Sequence, residues 1–183
     1  EAAEADGEGA AVDSTIGNEL LRAIGDIKND QTQSAIAVAL GLCKYLEAAD
    51  TLEALLDKNK QRDEVAGYLC IGLALMGSER SMDAIRTVVK SSIRRPGLLQ
   101  QAAIALGKLG DKGVTNDLQE MLLDESNQNV AKLSAVASAL GFIGDKRTID
   151  PLVRMLQNES ITPLSRAFAA VALGGVADKE LLP

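Results

Sequence analysis

Apolar residues recur along this chain with the spacing of amphipathic helices, and the helical pattern itself repeats. Ala105–Lys112 reads Ala-Leu-Gly-Lys-Leu-Gly-Asp-Lys, and Ala139–Lys146 differs from it only at two variable positions. The third residue of the motif, called here the reference residue of its repeat, occurs in five copies at Gly41, Ala74, Gly107, Gly141 and Gly174. Successive copies are 33, 33, 34 and 33 residues apart. A fixed period of this length is typical of stacked helical repeats.

Each repeat predicts two helices joined by a short turn. The first helices are predicted at Thr32–Lys44, Glu64–Met76, Leu98–Leu109, Val130–Ile143 and Leu164–Val176. The second helices are predicted at Ala49–Asp57, Met82–Lys90, Val114–Asp124 and Thr148–Leu156. The predicted fold class is therefore all-α, a right-handed α-α superhelix in which each helix pair packs against its neighbours.

Glycine occurs at two positions of the repeat for two different reasons. Gly inside a helix costs about 1 kcal/mol relative to Ala, so the reference glycines indicate close helix packing rather than local preference. A second set, at Gly77, Gly110 and Gly144, is expected to end the first helix in a left-handed conformation. Asp111 and Asp145 follow this set and are expected to cap the next helix.

The two ends of the chain depart from the repeat. Residues 1–14 are Ala, Gly and acid, and their composition predicts a disordered tail or linker before a repeat domain at 15–183. Thr15–Asn29 resembles the second helix of an incomplete repeat, and Glu180–Pro183 enters another second helix. About five units with incomplete ends are therefore expected, as in a piece of a longer protein.

Composition narrows the range of functions. A net charge of −7 and an aromatic content of only 2% argue against a nucleic-acid partner, which needs a basic surface and stacking rings. The chain has no His, and Cys43 and Cys70 are too far apart for a disulfide, so we expect no catalytic site, metal or cofactor. The apolar runs are too short for a membrane span. A non-enzymatic protein is the resulting expectation.

Two stretches carry a family resemblance. The pattern A-L-G-x-x-G-D-x-x-x-x-x-x-L-x-x-x-L, at Ala105–Leu122 and Ala139–Leu156, resembles the short HEAT-like repeat that also occurs in phycobilin lyase subunits. The resemblance covers about residues 16–183. It implies a helical binding platform whose second helices line the concave side and contact the partner. It implies no particular partner, because such repeats serve unrelated proteins.

The leading functional hypothesis is a protein-interaction or scaffolding module. Its partner is expected on the outward positions of the second helices, at Glu53, Arg86, Gln119, Glu120 and Arg154. An accessory or catalytic subunit resembling the bilin lyases, and a passive spacer, are the alternatives.

A second row of side chains on the same helices is nearly uniform in charge. It comprises Asp50, Asp83, Asn116 and Asp150. This acidic row could recruit a basic peptide or a divalent cation. Each member also falls in the first turn of its helix, where an acid is favourable in any case, and this structural interpretation is preferred.

Overall fold

A computed structural model describes residues 2–124 and 129–179. Within these ranges the chain contains α-helices and short 3-10 turns and no β-strand. The helices form two compact units, residues 1–81 and residues 82–183. The predicted all-α class and its helix-pair architecture are confirmed within each unit.

The N-terminal unit contains four helices: α1 (Ala2–Asp26), α2 (Asp30–Leu42), α3 (Ala49–Lys58) and α4 (Asp63–Met76). First helices α2 and α4 pack side by side, and second helix α3 packs against α4. Leu40 and Leu73, each the residue before a reference residue, are fully buried. Their burial follows from the apolar stripe that both first helices present to the unit's interior.

The C-terminal unit contains the other six: α5 (Met82–Ser91), α6 (Pro96–Lys108), α7 (Lys112–Leu123), α8 (Val130–Ile143), α9 (Ile149–Gln157) and α10 (Pro163–Lys179). First helices α6, α8 and α10 pack in sequence, and each second helix contacts the first helix that follows it. Leu106 and Leu140 are fully buried, as the repeat register predicts. No helix of the described part of the chain is long and apolar enough to span a membrane.

The predicted glycines lie in the turns between paired helices. Gly77, Gly110 and Gly144 have φ angles of 78°, 80° and 70°, the left-handed conformation expected for them. Asp111 accepts a hydrogen bond from the Gly113 amide at 2.8 Å, and Asp145 accepts one from the Arg147 amide at 2.9 Å. Both aspartates therefore cap the start of the helical turn that follows, as predicted.

Both ends differ from the simple repeat pattern. Residues 2–14, expected to be a disordered tail, form the first part of α1 in the structure, where Ala and Glu supply high helix propensity. At the other end α10 continues to Lys179, beyond the expected Val176, because Ala177 occupies the position of the turn glycine. Residues 125–128 and 180–183 lie outside the described residues.

The two thiols are unlinked. Cys70 is fully buried, and this burial raises the pKa of its thiol to about 12. Cys43 is half-buried near the end of α2 rather than fully inside the core.

Candidate protein-binding surface

The five residues expected to meet a partner all lie on second helices, and the structure divides them into two groups. Glu53 is on α3 of the N-terminal unit. Arg86 on α5, Gln119 and Glu120 on α7, and Arg154 on α9 belong to the C-terminal unit. Only Glu120 and Arg154 are exposed, whereas the other three are half-buried.

The half-buried group reaches the turn of the following repeat. Ser81 Oγ donates a hydrogen bond of 2.6 Å to Glu53 Oε1. Gln119 Nε2 donates one of 3.0 Å to the Arg147 carbonyl oxygen. Glu53, Arg86 and Gln119 are called here the polar row. They hold neighbouring repeats together and are therefore not the free outward positions that the helical period alone suggested.

Arg86 shows most clearly why the polar row changes sign from repeat to repeat. Its guanidinium contacts Asp111 Oδ2 at 2.6 Å and Asp83 Oδ1 at 2.8 Å. The Asp111 side chain is only 4% exposed, and a buried carboxylate requires a paired cation. Each member of the polar row thus pairs with a polar group in the turn of the next repeat, and that group differs between repeats.

The acidic row is also engaged. Arg80 contacts Asp50 at 2.8 Å in the N-terminal unit. In the C-terminal unit, Arg86 contacts Asp83, and Arg147 Nη1 donates to Asn116 Oδ1 at 3.4 Å. No group of three or more His, Cys, Asp or Glu side chains among the described residues is arranged to hold a metal ion. Arginines therefore contact Asp50, Asp83 and Asn116, three of the four members of a row whose spacing also suggested a cation or a basic peptide.

Arg147 has a second role at the capping residue Asp145. Hydrogen bonding from the Arg147 guanidinium lowers the pKa of the Asp145 carboxyl below its ordinary value. The depressed pKa means that this carboxylate stabilises the fold above its unfolded-state pKa and loses that contribution as the pH falls through the folded-state pKa. The 3-10 turn at Lys146–Thr148, which leads into α9, therefore weakens only in acid.

A groove lined by both polar and apolar groups opens between second helices α7 and α9. It has a volume of about 240 Å³ and is lined by Leu122, Leu123, Leu133, Pro151, Arg154, Met155, Asn158 and Ile161. The Leu123 side chain is 52% exposed at its edge. Arg154 is exposed and lines the groove, which therefore combines apolar side chains with a cation.

A second groove beside α7 is lined by both charged and apolar side chains. It has a volume of about 410 Å³ and is lined by Lys90, Ile93, Asp117, Glu120, Met121, Asp124 and Lys132. Lys132 is only 3% exposed, and its Nζ contacts Asp124 Oδ2 at 2.9 Å. Glu120, whose carboxylate is exposed, thus lines a groove in which the buried charge of Lys132 is paired with Asp124. Sequence reasoning missed Lys132, because a lysine in an amphipathic helix is ordinarily expected in solvent.

Family models match two stretches of the chain. A model described as HEAT repeats matches residues 58–137. A model described as PBS lyase HEAT-like repeat matches residues 133–158, which include most of α8 and all of α9. No curated protein sequence matches the chain. Helix pairs at a 33-residue period and these two matches agree, and the chain is a HEAT-like repeat protein.

Proposed function

We propose that the chain is a protein-binding module rather than an enzyme, and that its partner docks on the second-helix surface of the C-terminal unit. The observation that carries the proposal is the groove between α7 and α9, in which apolar side chains lie beside the exposed cation of Arg154. Apolar surface beside a few charged groups is the usual composition of a protein-recognition site. Of the five residues expected from the sequence, the proposal retains Glu120 and Arg154.

The size of the groove favours a side chain of a partner protein over a small-molecule ligand. Pockets for small molecules and cofactors usually have volumes of about 300–1,000 Å³. The α7–α9 groove, at about 240 Å³, is smaller than this range and is open to solvent along α7. An apolar side chain from a partner fits there, with an acidic group of the partner beside Arg154.

In this role the chain itself catalyses no reaction. The sequence has no His to act as a general base near neutral pH. The Cys70 thiol, with a pKa raised to about 12 by burial, stays protonated and inaccessible near neutral pH. These features support a binding role over the alternative of a bilin-lyase-like catalytic subunit.

Charge reversal at the groove tests the proposal. Arg154→Glu should weaken partner binding tenfold or more, because the loss of one interfacial contact of about 1.4 kcal/mol is a factor of ten. The melting temperature should change little, since exposed charges contribute little to stability. The measurement is capture of proteins from the native extract on the immobilised chain, followed by titration of the purified partner.

Lys108→Glu is the matched control, because it makes the same change of charge at an exposed position on first helix α6 of the same unit. A partner that the control retains and Arg154→Glu loses supports the proposed surface. Equal affinity of the partner for the parent chain and for Arg154→Glu would contradict it.

A further inference from the structure

Leu123, at the end of α7, is an apolar residue at an outer position of the second helices. It is 52% exposed. The equivalent positions of α3, α5 and α9 are also exposed, and they carry Asp57, Lys90 and Gln157. A polar residue therefore satisfies the fold at this position. Packing of the repeats does not account for the leucine in α7.

Two side chains of opposite charge lie close to Leu123. Glu120 precedes it by one turn on α7, and Arg154 occupies on α9 the position that Glu120 occupies on α7. Both are exposed, and neither side chain makes an ion pair or a hydrogen bond with another described residue. Thr87, at the same position of α5, is exposed although two further repeats follow it. Exposure at this position is therefore a property of the repeat.

The other charges that line the second groove beside α7 are already paired. Lys90 Nζ lies 3.7 Å from Asp117 Oδ2, and Lys132 Nζ lies 2.9 Å from Asp124 Oδ2. The groove thus contains two cations and three carboxylates, and the carboxylate of Glu120 is left over. The charge that this groove lacks is positive.

A lysine or arginine side chain from a partner supplies that charge. Its aliphatic stem packs against Ile93 and Met121, which line the same groove, and its head group meets the exposed carboxylate of Glu120. Arg154 in the α7–α9 groove needs the opposite charge. A nucleic acid would supply it there but would also bring negative charge onto Glu120. A protein segment that carries both charges leaves neither residue unpaired.

We propose that the partner contacts this surface through one segment with a basic, an apolar and an acidic side chain in that order across α7. The inference rests on the proposed function and names the chemistry of its partner. The basic side chain meets Glu120, the apolar one packs on Leu123, and the acidic one meets Arg154. Because packed helices lie about 8–10 Å apart, the two charges of the segment are separated by about three residues of extended chain or about two turns of helix.

A library of random linear peptides, displayed on phage and selected on the immobilised chain, tests the inference. Selected peptides should share an apolar residue with a basic residue on one side and an acidic residue on the other. In fluorescence anisotropy titrations, Glu120→Lys should bind a selected peptide about tenfold more weakly or worse. Replacing the peptide's basic residue with glutamate should restore the affinity for this variant, which loss of a structural contact would not allow.

Leu123→Gln tests the apolar contact separately, because glutamine is the residue that α9 carries at the equivalent position. It should weaken binding of the same peptide about tenfold, since burial of a leucine side chain contributes about 1.5–3 kcal/mol. The melting temperature should change little. Unchanged affinity would show that the segment does not cross α7 at this leucine and would overturn the inference.

Asp178→Lys is the matched control for Glu120→Lys, because it makes the same change of charge at an exposed position on first helix α10 of the same unit. It should bind the selected peptides as the parent chain does, and circular dichroism should show full helicity for every variant. Peptides that lose affinity for Arg154→Glu but keep it for Glu120→Lys would overturn this inference and leave the proposed surface standing.

Two further outcomes separate this inference from the proposed function. Peptides that bind both charge-reversed variants as tightly as the parent chain would contradict the inference and the proposed surface together. A library that yields no binding peptide would overturn the inference alone, because capture of a partner from the native extract tests the surface independently.

Discussion

One backbone position adopts a left-handed conformation after the first helix in four of the five repeats. Glycine occupies it at Gly77, Gly110 and Gly144, but Lys44, with φ 52°, occupies it in the first repeat. A non-glycine residue in this conformation is strained by roughly 1–2 kcal/mol. In the fifth repeat Ala177 takes the same position, and there the helix continues. The backbone at Lys44 is therefore strained in the N-terminal unit.

Replacing this lysine should stabilise the protein. Lys44→Gly relieves the strain but adds freedom to the unfolded chain, so a net gain of up to about 1 kcal/mol is expected. Gly110→Ala is the reciprocal change and should cost roughly 1 kcal/mol, since a Cβ atom there meets nothing within 4 Å and only the backbone is strained. Urea unfolding curves measure both. Destabilisation by Lys44→Gly would contradict the assignment of strain.

The contacts that the polar row makes with the next repeat could not be predicted from the sequence. The helical period predicted Glu53, Arg86 and Gln119 at outward positions of the second helices, whereas all three are half-buried in the structure. It could not show that each side chain reaches a partner 25 to 28 residues further along the chain. That contact depends on the distance between neighbouring repeats, which a one-dimensional pattern does not contain.

Close approach of first helices depends on individual glycines rather than on glycine content. A Cβ atom at Gly141 would lie 2.8 Å from Ala172 Cα, whereas one at Gly174 would meet nothing. The sequence predicts close packing at both, because they are equivalent in the repeat. In the fifth repeat it is Gly175 that approaches α8, at 2.9 Å between its added Cβ and the Gly141 carbonyl oxygen.

The same substitution at these two positions should have opposite effects. Gly141→Ala should lower the free energy of unfolding by about 1–2 kcal/mol, because overpacking costs more than the helix propensity of alanine returns. Gly174→Ala should raise it by up to about 1 kcal/mol through propensity alone. Thermal and urea unfolding of dilute protein give both values. A gain in stability for Gly141→Ala would show that the α8–α10 contact is looser than the structure indicates.

Most helix boundaries were predictable from the sequence within two or three residues, and α8 was predicted at its observed bounds. The repeat supplies five nearly aligned copies of each boundary, and glycine and aspartate mark the turns in several of them. The grooves beside α7 were not predictable. Their shape depends on the distances from Leu123 and Arg154 to their neighbours in space. The repeat motif does not specify a residue at either position.

The matching of the polar row to successive turns has a consequence for folding. A chain of nearly identical repeats can pair a helix with the wrong copy, one period out of step, with little loss of apolar contact. Arg86 against Asp111 and Glu53 against Ser81 make such mispairing unfavourable, because a shift by one repeat would place Glu53 beside the carboxylate of Asp111. Variation in this row thus encodes the order of the repeats, and native pairings are preferred over their near-copies.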